Sequence, residues 1–232
     1  MTANKPLVSV IMPLYNSERY VSDALESVFK QDYQPFEVIL INDGSTDRTV
    51  EIIGKYDNVR YIYQTNQGAA SARNTGVASS SGEIITFLDS DDFWPTNRLT
   101  VTIRYLDRHP EVGYVLGRQM MFVESGCAVP PWVKAEWLTA PQDASNTGVL
   151  VVRRVTFDRV GLLNTDYRRS GEDTEWLVRA SEAGIPMARL PEIVLHKRIH
   201  GENLSVQMIQ MRKDNLMRIA RESIRRQQES EK

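Results

Sequence analysis

The chain has one cysteine, Cys127, in 232 residues. No internal disulfide can form, which fits a reducing compartment. Cys127 lies between Gly126 and Ala128 and reads as inert rather than as a nucleophile. Histidine is scarce too, with only His109, His196 and His200. No apolar run reaches the length of about 18 residues that a membrane-spanning helix needs. The opening Met-Thr-Ala-Asn-Lys-Pro lacks the basic region and apolar core of a signal peptide, so a cytoplasmic location is expected, with attachment at a membrane surface left open. A net charge of only −2 gives no general affinity for nucleic acid. After the first apolar run stands Pro-Leu-Tyr-Asn (13–16), with no Gly-x-Gly-x-x-Gly and no Walker sequence. That argues against a nicotinamide dehydrogenase and against a P-loop enzyme.

What is present is an ordinary globular composition, 41% apolar and 25% charged. Short β-branched runs at 7–14, 36–41, 59–63 and 84–88 alternate with amphipathic or small-residue helices starting near Ser17, Ser45 and Gly68. Four such alternations predict βαβ units with right-handed crossovers and a parallel sheet flanked by helices. Further on, the pattern predicts a helix after Pro95 and a strand over 112–123, interrupted at Gly117. An irregular stretch follows over 124–146, with Trp132 and Trp137 pinning it to the core or stacking on a ligand. Then come a strand over 148–152, a helix over 154–160, a helix over 172–183, strands over 187–190 and 193–199, and a long helix over 204–228. Residues 1–205 read as one domain, and 206–232 as an amphipathic helix and tail. That helix could pack on the domain, pair with a second subunit or lie on an anionic membrane; Glu222, Glu229 and Glu231 dilute its basic charge and favour packing.

Three carboxylates, Asp89, Asp91 and Asp92, follow the fourth apolar run. Ligands in open α/β sheets collect beyond the carboxyl ends of strands. Crowded acids repel unless a cation neutralises them, and hard oxygens suit magnesium or manganese shared with substrate phosphates. The competing reading is a solvated acidic loop before a helix. Asp43 ends the second strand, where it could accept from a ribose or base, or simply turn the chain in Asn-Asp-Gly-Ser. Gly68 opens a helix of small residues in which Arg73 is the one long side chain, suited to a diphosphate or to a structural ion pair. Glu172 and Asp173 open a later helix, as acids favoured by the helix dipole or as a general base. His200 stands at a turn, where it could ligate a metal or contact phosphate. His109 and His196 read as structural.

Six segments in order resemble the family 2 glycosyltransferases of the GT-A fold. They are Val-Ser-Val-Ile-Met-Pro-Leu-Tyr-Asn (8–16), Val-Ile-Leu-Ile-Asn-Asp-Gly-Ser-Thr-Asp (38–47), Asn-Gln-Gly-Ala-Ala-Ser-Ala-Arg-Asn-Thr-Gly (66–76), Phe-Leu-Asp-Ser-Asp-Asp (87–92), Gly-Glu-Asp-Thr-Glu-Trp (171–176) and Arg-Ile-His-Gly-Glu-Asn-Leu-Ser (198–205). The resemblance implies a Rossmann-like, mostly parallel central sheet. It implies an inverting transfer from a nucleotide-diphosphate sugar, a UDP-sugar first among them, to an acceptor nucleophile on a glycan, lipid-linked intermediate, peptide or small molecule. Pro13, Tyr15, Asn16, Asp43, Gly68, Arg73 and Asp89 would hold the donor nucleotide. Asp91 and His200 would hold Mn2+ or Mg2+, and Asp173 with Glu172 would serve the chemistry. Two rivals share the fold: a non-catalytic nucleotide-sugar sensor or scaffold, which needs no base, and a nucleotidyltransferase, whose glycine- and lysine-bearing loop is missing here.

Overall fold

The computed structural model describes residues 5–167, 170–201, 203 and 209–230. Strands β1 (Val8–Leu14), β2 (Phe36–Asp43) and β4 (Ile84–Phe87) are almost wholly buried runs of apolar residues, as strands covered on both faces must be. They pair in parallel, Val8 lying opposite Phe36 on one side and Ile84 on the other. β3 (Arg60–Gln64) adds a parallel edge beside β2. Helices α1 (Val21–Phe29), α2 (Thr49–Ile53) and α3 (Ala69–Ser79) make the crossovers. The resulting order β3-β2-β1-β4 is the open α/β arrangement expected from the alternation of patterns.

Beyond β4 the sheet is mixed. β7 (Leu150–Arg153) runs antiparallel to β4 and to β5 (Tyr114–Val123), so β5 points the same way as β1. β6 (Gln142–Asp143) and β8 (Met187–Ile199) also pair with β5. Helices α4 (Arg98–Arg108), α5 (Arg154–Val160) and α6 (Glu172–Glu182) cover the faces, and α7 (Ile209–Ser230) closes the described chain.

Several boundaries differ from the pattern. α1 starts at Val21 rather than near Ser17, because the Ser17 carbonyl first accepts the amides of Tyr20 and Val21 in a turn. Gly117 does not interrupt β5: a Cβ there would lie 2.5 Å from Val194, so glycine permits the close approach of β8. The two strands expected over 187–190 and 193–199 are one strand, with the register against β5 slipping between Leu116 and Arg118. Pro191 falls in that slip, where no ladder amide is lost. The helix expected from Leu204 begins, as described, at Ile209; residues 204–208 lie outside the described ones.

One core joins β1, β2, β4, β5 and β7 to α1, α3, α4 and α6. A small second cluster of Met121, Val133 and Ile199 receives Trp132, Trp137 and Leu138, so both tryptophans pack the irregular stretch onto β5 and β8. Arg98 is fully buried without a carboxylate partner among the described residues. It donates instead to the carbonyls of Gly148 and Val194 and to the Thr86 hydroxyl, and stacks on Trp94 with 4.1 Å to the ring centroid. Burial pushes its pKa down to about 9. The inner face of α7 packs on α6 and the turn before it: Ile219 is 3% exposed, and Asn215 donates to the Ser170 carbonyl at 2.6 Å.

Candidate active site

The carboxyl ends of β1, β2 and β4 meet at one edge of the sheet, the place where ligands collect in open α/β sheets. Tyr15 and Asn16 follow β1. Tyr15 is exposed, and Asn16 adopts φ +48°, a conformation asparagine tolerates better than most residues. Its amide donates to the Ser45 hydroxyl at 3.1 Å, and its side-chain oxygen accepts the Thr46 amide at 2.9 Å, which laces the loop after β1 to the loop after β2. Pro13, one position inside the end of β1, is half-buried.

Asp43, at the end of β2, is buried. Its carboxylate accepts from the Gln64 side chain at 2.7 Å and from the amides of Gln67 and Gly68 at 2.8 Å each. Those bonds shape the turn into α3, where Gly68 takes φ +90°, a conformation that favours glycine. One turn into α3, Arg73 points back to the acids. It donates to Asp89 at 2.6 Å and to Glu172 at 2.9 Å, with its own side chain buried. Burial opposes its charge, but the two carboxylates more than compensate and raise its pKa further.

The three acids after β4 are not equivalent, although each has a carboxylate oxygen within 4.8 Å of the others. Asp89 and Asp91 are half-buried and face the edge. Asp92 turns inward, accepting the Arg198 amide at 2.8 Å, with Lys197 Nζ 3.5 Å from its other oxygen. Burial pushes the Asp92 pKa up to about 8 despite the Lys197 charge, and Asp91 and Asp89 push the same way. Asp91 goes the other way. Burial would raise its pKa, but the hydrogen bond from His200 and the charge of Lys197 hold it below the usual value. Its Oδ2 meets His200 Nε2 at 3.1 Å and accepts from Asn203 at 3.0 Å. Arg73 pairs with Asp89 and Glu172, and Lys197 faces Asp92, so carboxyl groups outnumber the two cations they face. That hard-oxygen set, with an imidazole beside it, fits one divalent cation.

Glu172 and Asp173 sit in the first turn of α6, after Gly171 at φ +102°. Glu172 is committed to Arg73. Burial pushes its pKa up to about 6, against the pull of Arg73. Asp173 is half-buried, accepts its neighbour Thr174's amide at 2.6 Å, and lies close enough to raise the Arg73 pKa. Arg73 thus joins the acid loop to the Glu172–Asp173 turn, and His200 joins β8 to the same loop.

Pattern reading missed Lys197, Arg198 and Asn203. Arg198 donates to the Asp91 carbonyl at 2.9 Å and to Glu124 at 2.6 Å, tying the acid loop to the end of β5. Two successive basic residues soon after the apolar run 193–195 were the available signal for Lys197 and Arg198. Asn203 had none beyond its place in the segment 198–205.

Comparison with known proteins follows this geometry. The profile of glycosyl transferase family 2 matches residues 9–158. A Haemophilus influenzae protein described as an uncharacterized glycosyltransferase is 45% identical over 108 residues, covering 44% of this chain and 43% of that one. The glycosyltransferase GlyG of Streptococcus pneumoniae is 38% identical over 124 residues, covering 51% and 41%. The match therefore spans less than half the length of either relative. Among solved structures, S. aureus TarS 1–349 superposes with a TM-score of 0.67 at 27% identity, covering 82% of this chain and 60% of that one. Its complex with UDP-GlcNAc gives 0.65 at 25% identity, covering 85% and 60%. The doubly wound sheet, the acid loop after β4 and the match over most of that sheet agree: this chain belongs to glycosyl transferase family 2.

Proposed function

We propose that the protein transfers a glycosyl group, with inversion, from a UDP-sugar to an acceptor nucleophile, using Asp173 as the general base and a site for Mn2+ or Mg2+ at Asp91 and His200. The observation that carries this reading is the Arg73 bridge, which holds the acid loop and the Glu172–Asp173 turn together. The solved UDP-GlcNAc complex of TarS supports the donor class.

Pro13, Tyr15, Asn16 and the Asp43-shaped turn at Gly68 receive the base, with Asp89 beside the ribose. Asp173 takes the proton from the acceptor hydroxyl as its oxygen attacks the anomeric carbon. The bond from that carbon to the diphosphate breaks in the same step, its electron pair leaving with the nucleotide. A bound divalent cation would neutralise charge on the departing diphosphate. Arg73 and Lys197 set the charge of the acid loop before the donor arrives, so little reorganisation remains at the moment of reaction.

The test is a screen of UDP-sugars with manganese, read by thermal shift and by UDP release. The correct donor stabilises the protein by about 2.7 kcal/mol at a hundredfold excess over Kd. Asp173→Asn keeps that shift and loses about 10²–10⁴-fold in turnover. No shift and no UDP release with any UDP-sugar would overturn the proposal; a normal turnover in Asp173→Asn would remove the base.

A further inference from the structure

α7 has two faces with different fates. Asn215, Ile219, Glu222 and Arg226 turn inward to the turn at Ser170, Tyr167 and α6. The outward face carries Leu216 (43% exposed), Met217 (59%) and Ile224 (55%), with exposed Ala220 between them. At the pitch of an α-helix these share an arc of about 140° with Lys213, Gln227, Gln228 and Arg221. No carboxylate among the described residues falls in that arc, though Asp214 borders it. Neither Lys213 nor Arg221 makes an ion pair among the described residues, whereas Arg218, Arg225 and Arg226, outside the arc, all do.

The geometry points to the outer face of α7 as a docking surface for an anionic lipid bilayer. Exposed apolar side chains beside unpaired cations match the acyl boundary and headgroups of such a surface. A second copy of the chain fits less well, because a two-fold pairing of this face brings two copies each of Lys213 and Arg221 together, with no acid among the arc's described residues to compensate. No helix among the described residues is long and apolar enough to cross a membrane, so docking is peripheral. Since the inner face of the same helix packs on the turn before Asp173, docking would set that side of the candidate active site near the bilayer. An acceptor carried in the membrane would then be within reach. This last step alone rests on the proposed function; lipid binding does not.

The test is co-sedimentation of the full chain with vesicles, at low salt. Vesicles of equal parts phosphatidylglycerol and phosphatidylcholine should bind about thirtyfold tighter than phosphatidylcholine alone, the ratio two unpaired cations supply. Binding should weaken as the Debye length falls to about 3 Å in 1 M salt. Lys213→Glu/Arg221→Glu should abolish the preference and Ile224→Glu should weaken binding to both vesicles, each with an unchanged melting temperature. Equal binding to both vesicles, no binding, or Ile224→Glu binding like the parent would overturn the inference. So would a dimer in sedimentation equilibrium that Ile224→Glu dissolves while vesicles bind nothing. None of these outcomes bears on UDP release, so this inference and the glycosyl-transfer reading fail separately.

Discussion

Arg73 and Glu172 stand ninety-nine positions apart and are joined by a buried ion pair at 2.9 Å. The same guanidinium holds Asp89, so removing it strands one buried and one half-buried carboxylate. Arg73→Met should therefore cost about 3–5 kcal/mol, since breaking a buried pair leaves uncompensated charge. Urea unfolding measures it. Glu172→Gln should cost much less, because Arg73 keeps Asp89. Equal losses would mean that the pair does not act as a bridge.

Asp91 and Asp92 should separate by experiment although they are neighbours. Asp91→Asn should lose the manganese-dependent shift with UDP or a UDP-sugar while melting near the parent temperature. Asp92→Asn should keep that shift and instead lower stability by about 1–3 kcal/mol, because an amide nitrogen replaces the buried oxygen that faces Lys197. Chelation with EDTA should reproduce the Asp91 result and leave the melting temperature of the unliganded protein unchanged. A metal-dependent donor shift that survives Asp91→Asn would move the cation elsewhere.

Asn215 holds the Ser170 carbonyl at the entrance to α6, and a Cβ added at Gly171 would sit 3.4 Å from Asn215 Cβ and 3.5 Å from Ile219 Cδ1. α7 thus fixes the turn that presents Asp173. Asn215→Ala should lower turnover by up to about 10²-fold, the cost of a small misplacement of a reacting group. Donor Kd should not change, because the hydrogen bonds of α7 to other elements among the described residues go to Tyr167, the Ser170 turn and α6. A matched rise in donor Kd would assign the loss to general unfolding instead.

Asp47 predicts a pH effect. Burial would raise its pKa, but the Thr49 hydroxyl and the amides of Glu18 and Thr49 outweigh it and hold the group below the usual carboxylate value. A depressed acid contributes stability above its unfolded pKa and loses it as pH falls through the folded one. Urea midpoints measured from neutral pH to about pH 3 should fall less for Asp47→Asn than for the parent. Parallel curves would show that the loop between β2 and α2 contributes nothing on the acid side.

The parallel half of the fold was legible because buried parallel strands are near-continuous apolar runs, and 8–14, 36–41 and 84–87 are such runs. The small residues of α3 signalled close approach, and Gly76 provides it: a Cβ there would lie 2.3 Å from Ile11. The placement of β7 between β4 and β5 was not legible, since strand patterns carry no record of their partners. Nor was the buried Arg98, whose neighbours are backbone carbonyls that any sequence supplies. At the site, Asp43, Asp89, Asp91, Glu172 and Asp173 stand out as carboxylates at strand and helix ends, and Arg73 as the one long side chain in a helix of small residues; none of them is decisive alone. Lys197 and Asn203 matter only through the acids they reach across the sheet.

The dependence of Asp91 and Asp92 on Lys197, Arg198, His200 and Asn203 also sets an order on synthesis. While the ribosome is still extending the middle of the polypeptide, the doubly wound half can collapse, yet its aspartates have no late-arriving partners. The acid loop gains Lys197, Arg198, His200 and Asn203 only once the segment at and just beyond the end of β8 has been made.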